Sequence, residues 1–168
     1  MQPIESKIRI RVTKPEEDAP HLKRWLSEPG VLRWFPMYDE REIDDAVRIW
    51  VGYSKFEACF TAEWEGEPCG IANFYLQPYK KLAHQCLFAI IVSEKHRNKG
   101  VGAALIDYLL QSAPKFKIEI LHLEVYDGNP AIRLYRRKGF VEYGVEPRFI
   151  KENGQYTSKI MMQKTLAE

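Results

Sequence analysis

The segment HRNKGVGAALIDYLL, residues 96–110, constrains this chain most, because it sets Gly100 and Gly102 where an amphipathic helix begins. A glycine inside a helix costs up to ~1 kcal/mol relative to alanine, so this helix start has to require a backbone free of side chains. The preceding run HQCLFAIIVS (84–93) is apolar enough to be a central strand. Strand, glycine turn and helix start in that order suit an anion, since the first helical N–H groups lack intrahelical acceptors and carry partial positive charge. His96, Arg97 and Lys99 add basic side chains around the turn. The spacing is neither GxxxxGK[ST] nor GxGxxG, and so supports neither a Walker loop nor a Rossmann dinucleotide site. On this segment alone, a phosphate loop and a turn with solvated charges stand about even.

The remainder of the chain gives that segment a setting. KIRIRVT (7–13) alternates with period two and reads as a strand. KPEEDAPHLKRWLSEPG (14–30) has acidic residues early and Leu22, Trp25 and Leu26 at helical spacing, ending at Pro29-Gly30. In DEREIDDAVRIWVGYS (39–54), Ile43, Ala46, Val47 and Trp50 form one face of a second helix. EACFTAEWEGEPCGIANFYLQ (57–77) is two β-rich runs around Glu65-Gly66-Glu67-Pro68, an antiparallel hairpin. The glycine-marked helix, 100–112, stops at Pro114, and KIEILHLEVY (117–126) is a strand whose apolar side is Ile118, Ile120, Leu121, Leu123 and Val125. GNPAIRLYRRKGF (128–140) reads as a short helix with Asn129 as N-cap, Pro130 in the first helical position and Gly139 closing it. Two last strands lie near 140–145 and 157–166. The order β-α-α-β-β-β-α-β-α-β-β predicts a mixed α/β fold, helices on a mainly antiparallel central sheet.

A length of 168 residues fits one domain, 1–168, and a net charge of +2 gives no basis for binding nucleic acid or an acidic membrane. No apolar run approaches the ~20 residues of a membrane span, and MQPIESKIRIRV has no apolar h-region, so the expectation is a soluble, cytoplasmic protein. Cys59, Cys69 and Cys86 are odd in number, lack metal-ligand spacing and sit among apolar residues. They read as buried free thiols of a reducing cytosol, with no metal site.

HRNKGVG, followed about thirty residues later by NPAIRLYRRKGF, resembles the Gcn5-related N-acetyltransferase (GNAT) superfamily. Arg97, Gly100 and Gly102 match its [RQ]-x-x-G-x-[GA] acyl-CoA pyrophosphate loop. Tyr135, Gly139 and Phe140 match its N-x-x-A-x-x-x-Y-x-x-x-G-F pattern, with one offset because Ala131 stands two residues after Asn129. The resemblance is strong over 84–145, weaker over the closing strands and faint before residue 57.

The resemblance implies a GNAT-like acyl-CoA N-acyltransferase fold and an N-acetyltransferase of the acyltransferase class that uses acetyl-CoA as co-substrate. It implies that HQCLFAIIV and HLEVY are the two central strands between which acetyl-CoA lies. Backbone groups of Ile90, Ile91 and Val92 would then pair with the pantetheine amides as an added strand does. One N–H there would polarise the thioester carbonyl. Arg97, Asn98, Lys99, Gly100, Val101 and Gly102 would cradle the pyrophosphate. Tyr135 would protonate the leaving thiolate, a phenol near pKa 10 being reasonably matched to a thiol. Asn129 would bond the pantetheine, although helix capping alone accounts for it.

The base is the less determined part. Glu124 stands five residues before Asn129 at the end of its strand, facing away from Leu123 and Val125, with His122 on its side. Some aminoglycoside acetyltransferases of the superfamily carry an acidic residue at the matching place, and a solvated strand-end glutamate is the plain alternative. GVLRWFPMYDEREIDD (30–45) combines Trp34, Phe35 and Tyr38 with Asp39, Glu40, Glu42, Asp44 and Asp45. That is either a rim for a cationic amine or, as such charge runs more often are, the solvated start of a helix. The expected acceptor is a small primary amine (an amino acid, a polyamine or an aminoglycoside-like compound), with neither nucleic acid nor membrane as partner and room for a homodimer. A protein N-terminal or lysine acetyltransferase and a non-catalytic acyl-CoA-binding module are the alternatives.

Overall fold

The computed structural model describes residues 7–166. In chain order these form β1 (Ile8–Val12), α1 (Pro15–Leu26), α2 (Glu40–Gly52), β2 (Cys59–Trp64), β3 (Glu67–Tyr75), β4 (Gln85–Val92), α3 (Val101–Ser112), β5 (Ile120–Tyr126), α4 (Ile132–Arg137), β6 (Val141–Glu152) and β7 (Gln155–Thr165), with short 3₁₀ turns between. The strands are ordered β1-β2-β3-β4-β5-β7-β6. The β4–β5 pair is parallel, while β1–β2, β2–β3, β5–β7 and β6–β7 are antiparallel. This is the mixed, mainly antiparallel sheet with flanking helices that the sequence predicts. The chain groups into two compact units: the residues up to Tyr75 with Ala89–Gln111, and Leu76–Phe88 with Ser112 onward.

In the first unit, α1 and α2 bury Leu22, Trp25, Leu26, Ile43, Val47, Trp50 and Val51 with Cys59, Ile71 and Ile91 of the strands. Each large apolar side chain so buried contributes about 1.5–3 kcal/mol. The other side of β2–β3 carries Phe60 and Phe74 edge-to-face, with Tyr108 of α3 against Phe60. Gly70 is required there: a Cβ would lie 2.9 Å from the Ile91 carbonyl oxygen and 3.1 Å from Leu105 Cδ1. The β2–β3 turn has Glu65 and Gly66 at φ 48° and 87°, the two positive values whose twist suits a tight hairpin.

Charge closes β1 onto α1. Asp18, fully buried, accepts from Arg11 at 2.8 and 2.9 Å, from the Lys14 N–H at 2.8 Å and from the Thr61 hydroxyl at 3.0 Å. Burial alone would raise its carboxyl pKa, but these donors outweigh it and hold the value below the ordinary one. The acidic run before α2 also has local partners. Asp39 caps α2 by accepting from the Glu42 N–H, Glu42 accepts from the Tyr38 N–H, Glu40 and Asp44 pair with Lys23, and Asp45 pairs with Arg48. Of the two sequence readings, the helix start is the one these contacts match. Phe35 is half-buried against Trp50, whereas Tyr38 is 78% exposed.

In the second unit, Leu121, Leu123 and Val125 of β5 are buried along with Phe140, Ile160 and Met162. The β6–β7 hairpin is longer than its sequence pattern suggests. It turns on Asn153 and Gly154 at φ 50° and 75°, and irregularities at Glu142/Gly144 and Glu146/Ile150 interrupt its alternation. The helix expected from Pro130 begins at Ile132, behind Ala131, whose cap position has no side-chain hydrogen bond. Its far end matches expectation. Gly139 sits at φ +90°, its N–H reaches the Arg136 carbonyl and the Phe140 N–H reaches that of Tyr135, both at 3.0 Å. That pair of bonds is a Schellman closure, and the Tyr135–Phe140 ring contact supplies its apolar clasp.

Candidate functional site

Two local arrangements carry the residues the sequence singles out, one in each unit. In the first, β4 runs into a 3₁₀ turn, Glu94–His96, and then into the turn that starts α3. Asn98 and Gly100 take φ 60° and 86°, values that strain a residue with a Cβ and come freely to glycine. The Ala104 N–H bonds the Gly100 carbonyl at 3.0 Å, the first bond of the α3 ladder. The N–H groups of Val101, Gly102 and Ala103 therefore precede it and have no acceptor within the helix.

Around this turn the basic side chains separate into two kinds. Arg97 and Lys99 are exposed. Arg97 Nε–H donates to the Val92 carbonyl at 3.3 Å, tying the turn to the end of β4, and Lys99 Nζ lies 5.4 Å from the centroid of the Trp64 ring. His96 departs from expectation. It is 4% exposed, its Nδ1 shares a 2.7 Å hydrogen bond with Ser93 Oγ, and its ring lies beside Trp64. Burial lowers its pKa, with Lys99 and Lys95 acting the same way against Glu67. It is a neutral structural residue and adds no positive charge to the loop. Of the strand residues expected to meet the pantetheine, Ile91 is buried and Ile90 and Val92 are half-buried.

These residues fit a pyrophosphate. The turn offers amides outside the helical ladder, a glycine at φ 86° just ahead of them, a second glycine without a Cβ at Gly102, and two exposed cations.

In the second unit, Tyr135 is 9% exposed and packs edge-to-face with Phe88 and Phe140. Burial pushes its phenol up to about 12. Its proton stays on throughout the physiological range, as a donor requires, but its match to a thiol is poorer than that of a free phenol. Asn129 is not the helix N-cap. Its Oδ1 accepts from the Ala131 N–H at 2.9 Å, a turn two residues ahead of the helix.

Glu124 faces out of the β5 core side, as the alternation predicts, and pairs across the sheet with a residue the sequence analysis did not single out. Lys159 of β7 is 7% exposed; its Nζ lies 3.4 Å from Glu124 Oε2, 3.1 Å from Glu146 Oε2 and 3.9 Å from the Phe149 ring centroid. Burial would lower the Lys159 pKa, but Glu146 and Glu124 outweigh it and raise the value. His122 Nε2–H donates to the Gln85 side-chain oxygen, and burial holds its pKa low against the pull of Glu124. Among the described residues, no group of three or more His, Cys, Asp or Glu is placed to hold a metal ion, and no helix is long and apolar enough to cross a membrane.

Comparison with known proteins reaches the same motifs. The model of the acetyltransferase (GNAT) family matches residues 19–140. The L-amino acid N-acetyltransferase AaaT of Escherichia coli is 25% identical over 115 residues, 67% of this chain and 68% of that protein. YwnH of Bacillus subtilis, provisionally named a phosphinothricin acetyltransferase, is 29% identical over 160 residues, 94% of this chain and 84% of that one. Among solved structures, Salmonella typhimurium yncA with its cofactor acetyl-CoA superposes at a TM-score of 0.80 and 20% identity, over 96% of this chain and 95% of that chain.

Proposed function

This chain belongs to the GNAT family of acetyltransferases, and on that premise we propose that it transfers the acetyl group of acetyl-CoA to the primary amine of a small molecule. It is an N-acetyltransferase with acetyl-CoA as co-substrate. The observation that carries the loop assignment is the Asn98–Gly102 turn, in which Gly100 at φ 86° immediately precedes the amides of α3 that lie ahead of its first ladder bond. The thioester supplies an activated acyl group. The chain supplies the rest: amides of 100–103 and the exposed Arg97 and Lys99 hold the diphosphate, and β4 backbone from Ile90 to Val92 meets the pantetheine as a strand would.

As nitrogen attacks and the C–S bond breaks, the Tyr135 hydroxyl donates the proton that the departing thiolate takes up, and the proton the nitrogen sheds restores the phenol through solvent. Glu124 attracts the ammonium and passes its proton to water, leaving a neutral nitrogen to attack. Asn129, spent on its own turn, acts through the placement of α4. The names of AaaT and YwnH give an amino acid and phosphinothricin as their substrates; both are small amines, and this supports the same acceptor class here.

Thiol release from acetyl-CoA, measured against amino acids, polyamines, aminoglycosides and peptides bearing free N-termini or lysines, tests the reading. Turnover with one class of small amine is expected. Turnover confined to peptides assigns the chain to the protein acetyltransferases instead. Tight acetyl-CoA binding with no turnover on any amine makes it an acyl-CoA-binding module.

A further inference from the structure

Among the described residues of the first unit, one polar group is left unexplained by the folding. Asn73 is 0% exposed, and neither its Oδ1 nor its Nδ2 has a hydrogen-bond partner among the described residues. Folded proteins leave few buried polar atoms in this state, because each forfeits its water without compensation. Asn73 is in the middle of β3, directly across from Cys59 of β2. It shares the face of Ile71 and Tyr75, on which α1 and α2 pack. Phe35, Met37, Tyr53 and Tyr75 lie half-buried at the margin of that cluster, Ala89 and Ile91 bring in β4, and Thr61, opposite Ile71 on the same face, donates to Asp18. A leucine, close to asparagine in shape, would serve the packing better, so the carboxamide is kept for something outside the fold.

We infer that Asn73 is a binding contact for the acceptor substrate, and that the group it meets is an uncharged carboxamide. Three features lead there. The side chain presents one donor and one acceptor side by side, the complement of another amide. A carboxylate there would leave Oδ1 without a donor and an ammonium would leave Nδ2 without an acceptor, whereas a carboxamide satisfies both. The strand beside β3 is β4, whose backbone from Ile90 to Val92 is assigned above to the pantetheine. The inference rests on the small-amine reading and narrows it to amines that carry a carboxamide.

The test compares amino acids with their amides on wild type and on Asn73→Leu. Wild type should turn over the amides with kcat/KM about tenfold above the free acids. In Asn73→Leu the acceptor KM should rise roughly tenfold and the preference for amides vanish, with the KM for acetyl-CoA unchanged. The same variant should melt a few degrees higher, since its buried amide is gone. A lower melting temperature with unchanged acceptor KM would mean that internal water satisfies the amide, and would overturn the inference. So would a wild-type preference for the free acids, which needs no variant to fold. Wild type that binds acetyl-CoA but acetylates no small amine overturns the acceptor class as well; turnover with an Asn73-independent preference overturns this proposal alone.

Discussion

The turn at 97–102 and the strand face around Glu124 are built from different material. The turn works through backbone: amides ahead of α3, a positive φ at Gly100, no Cβ at Gly102. Its exposed side chains, Arg97 and Lys99, add charge, and Arg97 also ties the turn to the Val92 carbonyl. The Glu124 face works through side chains meeting across strands, with one lysine from β7 held between carboxylates from β5 and β6. A backbone site tolerates changes in neighbouring side chains and fails when a Cβ is added. A side-chain site fails one functional group at a time, and each failure has its own dependence on pH.

Experiments can sharpen that contrast, and the largest effect should come from a single hydroxyl. Tyr135→Phe keeps the contacts with Phe88 and Phe140 and removes the hydroxyl proposed as proton donor, so kcat should fall by ~10²-fold or more while acetyl-CoA affinity holds. Wild-type turnover in that variant would return Tyr135 to packing. Next comes the backbone site: Gly102→Val should weaken acetyl-CoA binding by roughly tenfold or more in calorimetry, by keeping the diphosphate off the amides. An unchanged Kd in the folded variant would remove the diphosphate from this turn.

Smaller, pH-dependent effects should follow on the Glu124 face. Glu124→Gln should lower kcat/KM severalfold near neutral pH, and the deficit should shrink as pH rises, because solution then supplies the neutral amine. Lys159→Met leaves Glu124 and Glu146 facing one another beside Tyr126 without their shared cation. Removing that cation changes the charge around Glu124, so the pH profile of kcat/KM should differ from that of wild type. Profiles that superimpose on wild type for both variants would place the base elsewhere. Smallest of all, Gly139→Ala forces a Cβ into φ +90°, where it would lie 2.9 Å from Lys164 Nζ. The cost of about 1–2 kcal/mol should lower Tm by a few degrees without affecting acetyl-CoA affinity.

The same division explains what could be read from the sequence. Gly100, Gly102 and the Gly139-Phe140 pair were legible because a backbone conformation needs particular residues at particular spacings. Tyr135 was legible through its distance from that pair. Lys159 was not, since its pairing with Glu124 depends on the β5–β7 register, in which Glu124 stands opposite Met161 and Lys159 opposite Tyr126. The full length of β6 was hidden by its bulges, although Asn153-Gly154 is itself a strong hairpin mark. The helix start at 130 was misplaced because Asn129 and Pro130 fit an N-cap and first position as well as they fit the turn that forms. His96 was misread for a further reason: a basic letter beside a loop says nothing of burial, and Ser93 and Trp64 decide its state. Asn73 is unremarkable among strand residues until its lack of partners is known.

The three cysteines have a practical consequence. Cys59, Cys69 and Cys86 are at most 1% exposed, and burial pushes each thiol up to about 12. Thiolate is the form that attacks a disulfide, so an aromatic disulfide reagent finds almost no reactive sulfur on the folded chain. The colour it develops during turnover then counts liberated coenzyme A molecule for molecule, and a slow rise in a substrate-free blank reports unfolding of the enzyme.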